Sequence, residues 1–199
     1  MSDNFNTKNM TFTDISAIIF FFVFTLSGFI INFVRGSKPE NIQFTDDKKS
    51  LFWFRILVPA GLIASEIFYF LRIGSFSNSN IFVVIGYTLL IGGLAIRWFS
   101  VLSLGKEFNV SLSIIKNHNL KTNGIYKYIR HPSYTGLLVY YLGLAILMQN
   151  IFSIILLTIL PFIAVFNRIR IEENLLSMYF KNNYKIYSEK TKKLFPFIY

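Results

Sequence analysis

The sequence predicts an all-α integral membrane protein of about five transmembrane helices, the last two forming a helical hairpin, followed by a cytosolic C-terminal helix. Three observations carry this reading. Of 199 residues, 53% are hydrophobic and 18% aromatic, and only 15% are charged; ordinary soluble domains carry about 25% charged residues. The apolar residues are gathered into long blocks separated by short polar ones. Lysine and arginine are concentrated in alternate loops, as retained cytoplasmic loops are.

The mean hydropathy of +0.49 agrees with a membrane chain. A formal charge of +10 would suit nucleic acid only if the basic residues lay on a water-soluble face with aromatics interleaved. Here they flank apolar blocks, so membrane lipid with anionic headgroups is the expected contact and no nucleic-acid partner is expected. Cysteine is absent, which excludes disulfides, thiolate metal sites and a cysteine nucleophile. Two histidines cannot build a typical zinc site unaided, so no metal is expected.

The opening MSDNFNTKNMTFTD has neither a cationic region leading into a short apolar core nor a small-residue cleavage motif, so it does not read as a signal peptide. Ile15 to Val34 is twenty residues without a charge, enough to cross a hydrocarbon core of about 30 Å at about 1.5 Å per residue. A polar loop from Arg35 to Lys49 leads to a second span, about Leu51 to Leu71, with Arg55 near its start, Pro59 inside it and Glu66 towards its end. Proline removes a backbone donor, so a kink is expected at Pro59. The uncharged turn GSFSNSN, Gly74 to Asn80, precedes a third span from about Ile81 to Leu102, where Gly86, Gly92 and Gly93 allow close helix approach. Arg55 and Arg72 lie near helix ends, where snorkelling explains them. Glu66 and Arg97 are deeper and are expected to face the bundle interior, with no catalytic role assigned.

After a polar interval from Ser103 to Pro132 come two apolar arms, to about Gln149 and from Ile151 to Phe166, turning at Gln149-Asn150. The tail from Asn167 is polar, basic and helical in pattern to about Lys190, and it ends in LFPFIY. Residues 1–102 thus form a three-helix membrane region. Residues 103–199 form a second unit, with a polar loop, the hairpin and a C-terminal helix.

The loop 35–49 holds four lysines and arginines, the interval 103–132 five and the tail seven, whereas the turns at 73–80 and 149–151 hold none. Five spans with the N-terminus outside place every basic loop in the cytoplasm. The polar interval and the tail then share one face. His118 to Tyr134 carries both histidines of the chain. Arg130-His131-Pro132 enters a membrane helix there, and proline at a first helical turn holds the residue before it out of the helix. A plain helix entry with a snorkelling arginine is the competing reading. Arg168 and Glu172, four apart on one helix face, are brought back to the same boundary by the hairpin.

Together these residues resemble the isoprenylcysteine carboxyl methyltransferase family and the related membrane phospholipid methyltransferases, from about Leu104 to the C-terminus. The likeness rests on LGKEFN at 104–109, His118-x-Leu120, Gly124-x-Tyr126, Arg130-His131-Pro132-Ser133-Tyr134-x-Gly136 and Asn150. It continues through Arg168, Glu172-Glu173, Leu176, Phe180, Tyr184 and Tyr187 to Leu194-Phe195-Pro196. The resemblance implies methyl transfer from S-adenosylmethionine to a lipophilic acceptor, small or lipid-modified, most simply a carboxylate of isoprenylcysteine type. It implies cofactor contacts at His118, Asn119, Leu120, Lys121, Tyr126, His131, Pro132, Ser133, Tyr134 and Glu172, and a substrate-carboxylate anchor at Arg168. Ser113 aligns with a further cofactor contact. The chain departs from the family at Lys181, where glycine commonly follows the phenylalanine, and at Ile125, where proline is frequent.

The roles suit the chemistry. A sulfonium cation with an amino-acid end is met by an acidic side chain such as Glu172 and by aromatic faces such as Tyr126 and Tyr134. A carboxylate acceptor is already ionised and needs no base. An amine acceptor would need one, for which His131 or Glu173 stands available. The competing classes are a phospholipid or amine N-methyltransferase, a steroid-reductase-like membrane enzyme using NADPH, and a non-catalytic protein whose basic face binds lipid. Oligomeric state is not legible.

Overall fold

The structure, a computed structural model, describes residues 15, 19, 22–23, 26–28, 30–31, 33, 42–45, 48–76, 79–108, 113–115 and 119–196. In chain order its elements are strand β1 (Ile42–Thr45), helix α1 (Lys48–Phe70), helix α2 (Asn80–Leu104), a 3-10 turn at Gly105–Glu107 and strand β2 (Ser113–Ile115). A second 3-10 turn at Gly124–Lys127 precedes helices α3 (Pro132–Leu147), α4 (Ile151–Phe180) and α5 (Asn182–Lys190). Of the first expected span only scattered positions are described. These are helical, with Ser27 and Ile31 buried and Phe22, Leu26, Ile30 and Phe33 exposed. The remainder of that span and the N-terminus lie outside the described residues.

Three of the described helices, Leu51–Phe70 within α1, α2 and α4, are long and apolar enough to cross a membrane, and α3 is a shorter apolar helix. They carry exposed rows of large apolar side chains, such as Ile63, Ile67 and Phe70 on α1 and Ile155, Ile159 and Phe162 on α4. Such rows would be a liability in water and are ordinary against lipid. Helix α1 runs through Pro59 without ending.

Lipid tails are as apolar as leucine, so helix pairing depends on close fit. Helix α2 packs along α3 through glycines. A Cβ on Gly93 would lie 2.5 Å from Tyr140 N, one on Gly136 2.6 Å from Arg97 N, and one on Gly143 2.6 Å from Leu90 N. Gly86 joins this contact, but Gly92 has nothing within 4 Å of its Cβ position, so only two of the three expected glycines serve it. Helix α1 lies along α4, and the core joins Val58 and Leu62 of α1 to Leu90, Leu137, Tyr140, Leu144, Leu157 and Val165.

The two uncharged turns are tied together at one end of the bundle. Ile151 N donates to Gly74 O at 2.9 Å, Phe76 N to Gln149 O at 3.2 Å and Ser79 N to Gln149 Oε1 at 2.8 Å. Asn150, fully buried, caps α4 by accepting from the amides of Phe152 and Ser153, and its Nδ2 donates to Ile73 O at 2.8 Å.

Two features depart from the expected architecture. Strands β1 and β2 pair antiparallel, with Phe44 opposite Ile114 and Thr45 opposite Ser113, so a small sheet joins the two polar loops. And α4 does not stop at Phe166 but runs on to Phe180, 30 residues in all from Ile151. That length is about 45 Å, well beyond a hydrocarbon core of about 30 Å. Arginine and glutamate are good helix formers, so Arg168, Glu172 and Glu173 mark where the helix leaves lipid rather than where it ends. The separate C-terminal helix is α5 alone.

Candidate active site

The site is built where the entry to α3 meets the extension of α4. Pro132 is the first residue of α3, where its missing amide is not needed. His131 precedes it with φ −123°, and its carbonyl accepts from the amides of Tyr134 and Thr135, both at 3.1 Å. The His131 side chain is 2% exposed and its ring stacks on Tyr134 at a centroid distance of 5.7 Å.

Arg168 and Glu172, one turn apart on α4, both reach Tyr134. Arg168 Nε donates to the Tyr134 hydroxyl at 2.9 Å, and that hydroxyl donates to Glu172 Oε2 at 2.8 Å. The other oxygen of Glu172 lies 3.7 Å from His131 Nδ1. Four expected site residues from segments about forty positions apart thus form one continuous chain of polar contacts. Arg168 is buried, whereas the Glu172 side chain keeps 29% of its surface exposed. Ser133, also buried, accepts from Arg97 Nη1 at 3.2 Å, which brings the intramembrane arginine of α2 to the edge of the site. Glu66 lines an apolar hollow on α1 with Leu62, Ile63, Ile67, Phe70 and Leu71.

Tyr126 is buried beneath the cluster. Its hydroxyl donates to Ser100 O at 3.2 Å, and its carbonyl accepts from the Tyr187 hydroxyl at 2.7 Å. Burial, then the charge of Glu172, pushes the Tyr126 hydroxyl well above the usual tyrosine range, so it stays a neutral donor. Burial likewise pushes Tyr187 up to about 12, against the opposing effect of Arg130.

Asn119 is drawn to Glu107, whose Oε2 accepts from the Asn119 amide at 3.1 Å and whose Oε1 accepts from Asn119 Nδ2 at 3.4 Å. Leu120 and Lys121 follow as half-buried irregular chain, and no described hydrogen bond or ion pair ties either to His131 or Glu172. His118 lies outside the described residues, as does the Ser113 side chain.

Sequence reasoning passed over a second group beside the first. Arg130 Nε contacts Glu173 Oε1 at 2.8 Å, and its Nη1 reaches Ser188 O at 2.9 Å and also the carbonyl of Thr191. Glu173 Oε2 takes Lys193 Nζ at 3.1 Å. The adjacent acidic pair Glu172-Glu173 and the arginine before His131 were the only local signals, because the partners in residues 188–193 are some sixty positions from Arg130. Glu107 gave no signal beyond its place in LGKEFN.

A helical membrane protein with a buried arginine, a partly open carboxylate and a histidine-tyrosine pair at its helix ends is the class that fold and site define. The model of the isoprenylcysteine carboxyl methyltransferase (ICMT) family matches residues 83–178. The protein-S-isoprenylcysteine O-methyltransferase of Schizosaccharomyces pombe is 29% identical over 178 residues, covering 82% of this chain and 75% of that protein. A probable protein-S-isoprenylcysteine O-methyltransferase of Oryza sativa is 30% identical over 116 residues, 57% of this chain and 61% of the relative. A solved structure of the eukaryotic intramembrane Ras methyltransferase ICMT superposes with a TM-score of 0.62 at 27% identity, over 70% of this chain and 52% of that one. The chain therefore spans under two thirds of the rice relative and about half of the solved one. The likeness to the ICMT family read from the sequence is shown by all three comparisons, and it takes in α2, α3 and nearly all of α4.

Proposed function

We propose that this protein is an S-adenosylmethionine-dependent methyltransferase that esterifies a carboxylate on a lipophilic acceptor, of the isoprenylcysteine type named in its relatives. The observation that supports this best is the chain from Arg168 through Tyr134 to Glu172 and His131.

The residues fit the cofactor. S-adenosylmethionine supplies a methyl group activated on a cationic sulfur, together with an amino-acid end. Glu172 is the carboxylate that keeps exposed surface beside two aromatic rings, the setting a cation with polar substituents requires. Tyr126, His131, Pro132, Ser133 and Tyr134 are assigned to the same wall, and the 118–121 segment to the cofactor's remaining edge.

Arg168 meets the acceptor. Its planar guanidinium is always charged and matches a carboxylate in a two-point grip. Tyr134 fixes the guanidinium through Nε. An ionised carboxylate needs no proton removed, and the work left to the protein is orientation and exclusion of water. An amine acceptor would require a base, but Glu173 is engaged by Arg130 and Lys193. The acceptor would enter sideways between lipid-facing helices, and the cofactor would enter from the cytoplasmic side.

Purified protein in detergent, given radiolabelled S-adenosylmethionine, is expected to form a base-labile methyl ester on a prenylated cysteine analogue. Phosphatidylethanolamine should remain unlabelled. Thermal stabilisation by NADPH and not by S-adenosylmethionine would reject the proposal in favour of a reductase.

A further inference from the structure

The last described residues of the chain do more than follow α5. From Thr191 to Leu194 they run beside the loop that leads into α3, with Ile129 and Lys192 in a parallel bridge. Lys192 N donates to Tyr128 O at 3.1 Å, Arg130 N to Lys192 O at 2.8 Å and His131 N to Lys193 O at 3.0 Å. One residue on, the Thr135 hydroxyl donates to Leu194 O at 2.5 Å, and the Leu194 side chain is 1% exposed within the hydrophobic core. The backbone groups of the site loop are thus satisfied, residue after residue, by this segment.

Glu173 closes this strap against α4. Its Oε1 accepts from Arg130 Nε at 2.8 Å and stands 3.4 Å from His131 Nε2, while Oε2 holds Lys193 Nζ at 3.1 Å. Arg130 in turn reaches Ser188 O and Thr191 Oγ1. The His131 ring therefore has a carboxylate at each nitrogen, Glu172 at Nδ1 and Glu173 at Nε2. From outside the site, Glu173 bears on the ring at Nε2 and the strap on the backbone amide. A site held to within about 0.5 Å needs such a supporting shell.

We infer that Glu173 and the strap Thr191–Leu194 form a positioning device for the methyl-donor half of the site, holding His131 so that Glu172 presents its open edge to the donor. This rests on the reading of His131 and Glu172 as donor contacts. The device bears directly on His131, the neighbour of Glu172, so its effect is read first in donor binding.

The test uses the full chain with S-adenosylmethionine and a prenylated cysteine analogue, comparing wild type with Glu173→Gln and Thr135→Val. Glu173→Gln is expected to raise donor KM about tenfold while acceptor KM and kcat at saturating donor stay within about twofold. Thr135→Val, a near-isosteric change that removes the hydroxyl's bond to Leu194 O together with its longer contact to His131 O at 3.4 Å, is expected to raise donor KM about threefold. Amide hydrogen exchange at Arg130 and His131, read without any ligand, should be faster in both variants. Wild-type donor KM in both variants, or a fall in kcat with donor KM unmoved, would overturn the inference. If wild type binds no donor, the parent reading fails; unchanged exchange at the two amides would then still overturn the positioning role, and faster exchange would support it.

Discussion

Tyr134 is where two opposite charges of α4 are made compatible with burial. Its hydroxyl is acceptor to Arg168 and donor to Glu172, so one oxygen satisfies a guanidinium and a carboxylate at once. Phenylalanine would fill the same space and leave each charge one partner short, at a cost of about 1–3 kcal/mol for groups so enclosed. Tyr134→Phe is therefore expected to lower kcat/KM by roughly ten- to a hundredfold in a methyl-transfer assay, and activity within twofold of wild type would contradict this role. Lys181 offers the opposite case. It joins α4 to α5 at φ 48° and ψ −120°, a conformation in which this chain uses glycine elsewhere, at Gly105 with φ 59° and ψ −124°. The departure from the family's glycine at this position is thus a strained side chain at a helix end. Lys181→Gly is expected to raise stability by about 1 kcal/mol, visible as a higher melting temperature in detergent.

Among the elements, the contact of α2 with α3 has the least tolerance. Backbone atoms lie 2.5–2.6 Å from where Cβ atoms would stand on Gly93 and Gly136, and neither helix can yield without losing the Gly86–Gly143 crossing about two turns further along. Gly93→Val and Gly136→Val are each expected to destabilise the fold by about 1–3 kcal/mol, whereas Gly92→Ala, facing open space, should be neutral or better. Thermal unfolding of the three variants separates these outcomes. Hydropathy made α1 and α2 legible to within a few residues, and Asn150 at the hairpin was legible because a cap is a local event. Three things were not legible. The unbroken run of α4 through Phe166 was hidden because charged residues ended the apolar run without ending the helix. The β1–β2 pair was hidden because short strands about seventy residues apart leave no periodic signal. The Arg130–Glu173 group was hidden because its partners meet only after the hairpin folds. At the site, the family resemblance named His131, Tyr134, Arg168 and Glu172 together, while proline, the i,i+4 spacing and the hairpin indicated only that they reach one boundary.

At the scale of the whole molecule, the pattern of polar contacts divides the bundle into two ends. The turns near Gly74 and Gln149 are bonded to each other, so they must lie on the same side of any membrane the helices cross. Arg130, His131, Glu172, Glu173 and the strap at Lys192–Lys193 gather at the opposite ends of α3 and α4. The uncharged turns sit at the first end and the basic segments of the site at the second, a distribution from which the basic end is expected on the cytoplasmic side. A soluble methyl donor made in the cytosol could reach only a site on that side. Because the chain has no cysteine, single substitutions at exposed positions report orientation without background. A membrane-impermeant maleimide added to intact cells is expected to label Ser75→Cys and to spare Lys127→Cys and Lys192→Cys until the membrane is permeabilised. Labelling of Lys192→Cys from outside would place the site away from its donor, and with it the assignment of S-adenosylmethionine would fail.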